Sequence, residues 1–204
     1  MFKVMFLLSA DADDPFKCKG PEAASLAQTL FAGLAGYYQS RSMTTQIGDV
    51  QPVYSGVAEF WFQTPDAAVA AGLVDISSLL RVNVSVRSVV VGMERVVLRT
   101  PDYLVVPRVK GVFPFARKPG MSVADFQHHW WHRHGPIAAL TENATAYIQV
   151  HPLPAEYAGR TPQFDGITEI SWRSTPAALS AMASRQMSED QSTDAGNFVD
   201  RDTV

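Results

Sequence analysis

An α+β fold built from two fused copies of one strand–helix–strand–strand–helix–strand unit is predicted by three observations. Gly56-Val57-Ala58-Glu59-Phe60-Trp61-Phe62 aligns with Gly166-Ile167-Thr168-Glu169-Ile170-Ser171-Trp172, and a proline and an Ala-rich helical stretch follow each copy. Lys3-Val4-Met5-Phe6 aligns with Lys110-Gly111-Val112-Phe113 at nearly the same offset. The segment from Phe126 to Pro136 has the apolar spacing of a helix. A repeat this long is a duplicated domain rather than a solenoid period. The element order is that of a ferredoxin-like βαββαβ unit, whose two helices cover one face of an antiparallel sheet. Two such units, residues 1–100 and 101–204, leave two bare sheet faces that are expected to close into one α/β barrel.

In the first unit, Phe2 to Leu8 reads as a strand. Acidic Asp11, Asp13 and Asp14 follow it, and the apolar run is too short for the core of a signal peptide. Pro21 to Tyr38 reads as a helix, Met43 to Val50 as a weak strand, Val57 to Phe62 as a strand, Asp66 to Val74 as a helix and Ser88 to Leu98 as the last strand. The second unit repeats the order with Val109 to Ala116, Ser122 to Leu140, Tyr147 to His151, Ile167 to Arg173 and Thr175 to Met187. Ser122 suits an N-cap, and Gly135-Pro136 suits a kink or stop in the helix that Ser122 opens. The polar run from Ser188 to Asn197 reads as a loop. No fourth strand is evident in this unit, so either a short tail is missing or the strand is supplied differently.

A hydrophobic fraction of 47% in 204 residues supports a substantial core. The net charge of −3 leaves no basic footprint for a nucleic-acid backbone. No stretch approaches the ~20 apolar residues that span a bilayer. One cysteine, Cys18, excludes an intramolecular disulfide and fits a reducing cytoplasm, the expected location.

All five histidines fall between His128 and His151. At about 100° per residue, Val123, Phe126, Trp130, His134 and Ile137 share one side of the helix, while His128, His129 and His132 point the other way. His134 is the inward imidazole. His128 and His132, one turn apart, resemble half of a zinc site. No glutamate stands where a metallohydrolase helix needs its base and no cysteine is near, so the pair reads as a solvated helix face and no metal is expected.

Alternation along Tyr147-Ile148-Gln149-Val150-His151 separates Ile148 and Val150 from Tyr147, Gln149 and His151. The apolar pair is expected under the helices and the polar trio on the opposite, interior face. Thr168, Ile170 and Trp172 are likewise expected under the helices, with Ile167, Glu169 and Ser171 inside. Ser171 stands where the first unit has Trp61, which leaves room for a ligand. Glu169 and Gln149 could simply satisfy each other across the sheet. Taken together, two imidazoles, a phenol, an amide and a carboxylate compose a small-molecule site. The candidate catalytic residues are His134, Tyr147, His151 and Glu169, and the candidate substrate contacts are Lys110, Trp130, Gln149 and Ser171.

Phe126, Trp130 and His134-Gly135-Pro136 at four-residue spacing, followed by Tyr147 to His151 and Asp165 to Glu169, resemble the EthD family of dimeric α/β-barrel proteins. The resemblance covers most of the second unit, including Asp194 to Asp200. In the first unit it is clear only over Gly56 to Phe62, because the helix there lacks histidine. The resemblance thus implies that the first unit is a degenerate structural half and that the second carries the site. With its cyclase, dehydratase and muconolactone-isomerase relatives, the family implies proton transfer without a cofactor on an aromatic, lactone or polyketide-like molecule, as in aromatic catabolism. In such a lyase or isomerase His134 is the general base or acid, Tyr147 and His151 orient or protonate an oxygen, and Glu169 fixes an imidazole tautomer. A haem-handling relative would need an axial ligand, which His134 or His151 could provide. The alternative is a non-catalytic binding or accessory protein that holds a hydrophobic compound for another enzyme. A homodimer is expected.

Overall fold

The computed structural model describes residues 1–10, 14–43, 52–103, 109–159 and 161–203. The strands are β1 (Phe2–Ser9), β2 (Leu34–Arg41), β3 (Gly56–Phe62), β4 (Ser85–Arg99), β5 (Val109–Phe115), β6 (Ala144–Pro152) and β7 (Gly166–Trp172), hydrogen-bonded in the order β2-β3-β1-β4-β6-β7-β5. Met1–Met93 with Pro152–Thr161 form one compact unit, and Glu94–His151 with Pro162–Val204 form the other.

The first unit runs β1, α1 (Gly20–Leu30), β2, β3, α2 (Pro65–Ala71), β4, and its strand order β2-β3-β1-β4 is ferredoxin-like. Proline in the first turn of α1 costs nothing, because the N–H it lacks would have no helical partner. Thr64 caps α2 by accepting the Ala67 N–H at 3.3 Å. The helix expected to reach Tyr38 stops at Leu30 instead. Gly33 at φ +74° reverses the chain, and the following residues pair with β3, Tyr37 opposite Phe60. Apolar residues that look like the next helical turn are therefore a strand. The weak strand placed at Met43 to Val50 falls almost wholly outside the described residues. Phe6, Phe31, Phe60 and Phe62 form the core on the helix side, with Tyr37 stacked on Phe60. On the opposite face Lys3 Nζ lies 2.6 Å from Glu59 Oε1 and 4.6 Å from the centre of the Trp61 ring.

The second unit contains β5, α3 (Val123–His129), a π-helical turn at Trp130–His134, α4 (Gly135–Ala138), β6, β7, α5 (Thr175–Ala183), a second π-helical turn at Gln186–Gln191, and α6 (Ser192–Ala195). Ser122 caps α3 as the sequence indicates, accepting the Asp125 N–H at 3.0 Å and donating its hydroxyl to the Asp125 carboxylate at 2.6 Å. Gly135-Pro136 widens the helix rather than stopping it. Pro136 has no N–H for the His132 carbonyl, and in a regular turn its ring would strike that carbonyl. The Gly135 N–H reaches back to the Trp130 carbonyl, one residue further than in an α-helix, and the chain stays helical to Ala138.

The polar run read as a loop is a second correction. Residues 186–195 are helical, anchored by Gln191, whose amide donates to Thr141 Oγ1 at 2.9 Å and Gln186 Oε1 at 2.7 Å. Among the described residues the sheet order ends at β5, where a fourth strand would lie. The segment Phe198 to Asp200 runs along the continuation of β5, with Lys118 N–H on Phe198 O at 2.8 Å and Asp200 N–H on Ala116 O at 3.0 Å. Phe115, Phe126, Trp130, Phe198 and Val199 close the core under α3. Gly166 makes room for this cluster, since a Cβ there would sit 2.6 Å from Trp130 Cζ3. Among the described residues no helix is long and apolar enough to cross a membrane.

Candidate functional site

The site begins at the π-helical turn, because the extra residue in that turn sets where His134 lands. His134 is 5% exposed. Its Nδ1 lies 2.9 Å from Asp194 Oδ2, and its Nε2 lies 3.4 Å from the Tyr147 hydroxyl. An ionised carboxylate only accepts, so Nδ1 carries the proton and Nε2 keeps its lone pair, which receives the Tyr147 O–H. Asp194 Oδ1 also accepts from His129 Nε2 at 3.1 Å and from the Asn197 amide at 3.4 Å. The Phe198 ring packs against both imidazoles.

Burial holds His134 below the usual histidine range, outweighing the Asp194 carboxylate that favours the imidazolium. Burial works upward on Asp194, but hydrogen bonds from His134 and His129 overcome it and leave the carboxyl below its usual value. Burial pushes the Tyr147 hydroxyl up, so it stays protonated. Near neutral pH the group is an ionised carboxylate, a neutral imidazole of fixed tautomer and a neutral phenol in line.

Strand β6 carries the main correction to the sequence reading. Tyr147, Gln149 and His151, expected on the face away from the helices, lie on the helix side. Tyr147 shares an apolar cluster with Ala138, Ala178 and Ala181, Gln149 Nε2 donates to the Trp130 carbonyl at 2.9 Å, and the His151 ring stacks on Trp130 at 4.3 Å. Ile148 takes the opposite face, across from Glu169. The register explains both: Tyr147 pairs with Ile170 and Gln149 with Thr168, which the sequence already placed under the helices.

The candidate residues therefore divide. His134, Tyr147, His151, Trp130 and Gln149 gather on the helix side of the second unit. Glu169, Lys110 and Ser171 occupy the other face, where Lys110 Nζ lies 2.8 Å from Glu169 Oε1 and Lys110 is opposite Ser171. The tautomer-fixing carboxylate is Asp194, not Glu169. Asp194 was within reach of sequence reasoning only through the family resemblance, which covers that segment. His129, placed outward by helix phase, turns half-buried toward Asp194, while His128 and His132 are exposed and stack on each other at 4.6 Å. Among the described residues no three His, Cys, Asp or Glu side chains are grouped to hold a metal ion. Both nitrogens of His134 are engaged, and the His151 ring lies buried flat against Trp130. A cleft of about 390 Å³ lies elsewhere in this unit, lined by Thr100, Asp102, Asn143, Thr145, Arg173 and Ser174 among others, and an Arg173–Asp102 ion pair occupies its charged groups.

Residues 118–202 match the EthD domain. No curated protein matches the sequence at a significant level. Among solved structures, similarity extends to a candidate chlorite dismutase, at 10% identity over 98% of this chain and 89% of that one with a TM-score of 0.57. An anthrone oxidase-like protein follows at 12% identity, 98% and 86% coverage and a TM-score of 0.52. A candidate monooxygenase from Lactobacillus acidophilus has 10% identity, 97% and 88% coverage and a TM-score of 0.51. At these identities the likeness shows a shared fold.

Proposed function

We propose that the EthD-type region is a cofactor-independent lyase or isomerase that moves a proton on an aromatic, lactone or polyketide-like small molecule. The observation that carries this reading is the Asp194–His134–Tyr147 chain. His134 Nε2, with its tautomer fixed from behind by Asp194, is the general base. It takes a proton from a carbon next to a carbonyl. The C–H electron pair moves into an enolate, and the imidazolium that forms is stabilised by the carboxylate. The Tyr147 O–H, resting on Nε2, turns to the oxygen on which charge develops. Return of the proton at another atom completes an isomerisation, and departure of a β-hydroxyl with that proton completes a dehydration. Phe198 and the apolar neighbours of Tyr147 keep water from competing for the base. An anthrone oxidase-like protein among the structural relatives is consistent with a polycyclic substrate having an acidic C–H.

The test is hydrogen–deuterium exchange in D₂O across a panel of cyclic ketones, unsaturated lactones and anthrone-type compounds. The chain should catalyse exchange at the acidic carbon of at least one, and His134→Ala should lower the rate by roughly 10²- to 10⁴-fold with the fold intact. Tight binding of panel members with no exchange would favour the carrier reading. Full activity in the His134 variant would remove the imidazole from the mechanism.

A further inference from the structure

We infer that the stacked pair Trp130 and His151 is a recognition site for one hydroxyl oxygen, the phenolic or enolic OH of an aromatic ligand. The inference rests on the helix side of the second unit being the ligand-facing side, and it adds the group by which the ligand is held.

A short chain of hydrogen bonds fixes which atoms are available. The carbonyl of Trp130, the first residue of the π-helical turn, accepts the Gln149 amide N–H at 2.9 Å, which orients that amide. Gln149 Oε1 is then the acceptor for His151, 2.9 Å from its Nε2. His151 must carry its proton on Nε2 to make this bond, so its Nδ1 is a bare lone pair. Burial, aided by the charge of Arg95, pushes the imidazole down to about 3, so Nδ1 stays unprotonated near neutral pH.

That Nδ1 is buried and receives no donor, and the Trp130 Nε1–H is buried and meets no acceptor among the described residues. Buried polar groups are almost always paired, so two orphans in one ring stack point to a missing partner. The ring centres are 4.3 Å apart at 28°, so the bare acceptor and the bare donor belong to one stack. A carbonyl would satisfy only the indole and an ammonium only the imidazole. A hydroxyl satisfies both, donating to Nδ1 and accepting from Nε1–H. Water has the same donor and acceptor pattern, so the experiment must separate ligand from solvent.

The experiment is ¹⁵N NMR of the whole chain titrated with phenol and with anisole, which has the ring but no donor. Phenol should shift the Trp130 indole and His151 Nδ1 signals together and bind about tenfold more tightly than anisole, roughly one hydrogen bond's contribution. His151→Phe keeps an aromatic stack and should erase most of that preference, whereas Trp130→Phe removes the donor that either oxygen accepts from and should weaken phenol and anisole alike. Equal affinity for phenol and anisole, both signals unmoved at saturating phenol, or a bound water that persists at the indole N–H in the presence of phenol would each overturn the inference. The wild-type titration stands even if a variant folds poorly. It reads no turnover, so its failure leaves the His134 base standing, and an active His134→Ala leaves the hydroxyl site standing.

Discussion

The two units share one polar feature and differ in another, and the contrast separates scaffold from function. Lys3 with Glu59 in the first unit and Lys110 with Glu169 in the second sit at aligned positions on equivalent strands, each an ion pair with a buried carboxylate on the face away from the helices. A device present in both copies, one of which has no histidine, belongs to the framework. On the helix side the copies diverge. The first is filled by Phe6, Phe31, Phe60 and Phe62, whereas the second holds His134, Tyr147, Gln149 and His151 under an acidic residue from α6. The ion pair recurs in both sheets, while the buried histidines gather in one helix layer. From this comparison we propose that Glu169, attractive from sequence as an active-site carboxylate, serves as a structural counter-ion.

The greatest loss of stability comes from breaking the shared ion pair. Lys3→Met removes the ammonium 2.6 Å from the buried Glu59 carboxylate and should cost about 3–5 kcal/mol in urea unfolding, while Lys3→Met with Glu59→Leu should recover most of that loss. Lys110→Met should cost less, because Lys110 is 12% exposed against 1% for Lys3 and water can reach the remaining charge. A larger loss at Lys110 would give that lysine a role the first unit lacks.

A second test uses the acid limb of stability. His134 and His151 are both held below the unfolded histidine value of about 6.5, so below that pH the unfolded chain binds protons that the folded chain refuses. Their stabilising contribution is complete above about pH 6.5 and is lost as pH falls toward the folded values, about 3 for His151. Asp194, below its usual value, adds a loss at still lower pH. Hydrogen exchange followed from pH 7 to 4 should show protection failing first in the second unit. His151→Phe should flatten that dependence, and uniform loss across both units would contradict the assignment.

The smallest effect belongs to the outward pair. His128→Ala with His132→Ala should change stability by no more than about 0.5 kcal/mol and leave exchange activity unaltered, because both side chains are exposed and touch mainly each other. Zinc retained at one equivalent and lost in that double variant would reverse the reading.

Much of this was legible in the residues. The aligned strands, the Ser122 cap and the inward His134 follow from repeat, cap chemistry and helix phase. The facing of β6 was not, because all nine of its residues are buried. A strand covered on both sides has no solvent side for alternation to reveal, and Ile148 and Val150 pack as well on either face. Asp194 was hidden because it stands in a polar stretch whose helicity depends on the distant partner of Gln191, a tertiary contact that local propensity does not encode. β2 was hidden by apolar residues that continue the period of α1 past Gly33, where one backbone angle changes the element.

We place the chemistry on the helix side and not in the ion pair of the opposite face. Carbon-acid exchange in Asp194→Asn and Glu169→Gln, each measured per folded molecule, tests it most directly. Asn at 194 offers His134 an N–H as readily as an acceptor, so the imidazole loses its enforced tautomer, and exchange should fall at least about 10²-fold. Glu169→Gln should lower the unfolding midpoint and leave exchange within about threefold of the parent, a free-energy difference below 1 kcal/mol. Exchange preserved in Asp194→Asn and abolished in Glu169→Gln would contradict the account and move the active face to the Lys110–Glu169 side of the sheet.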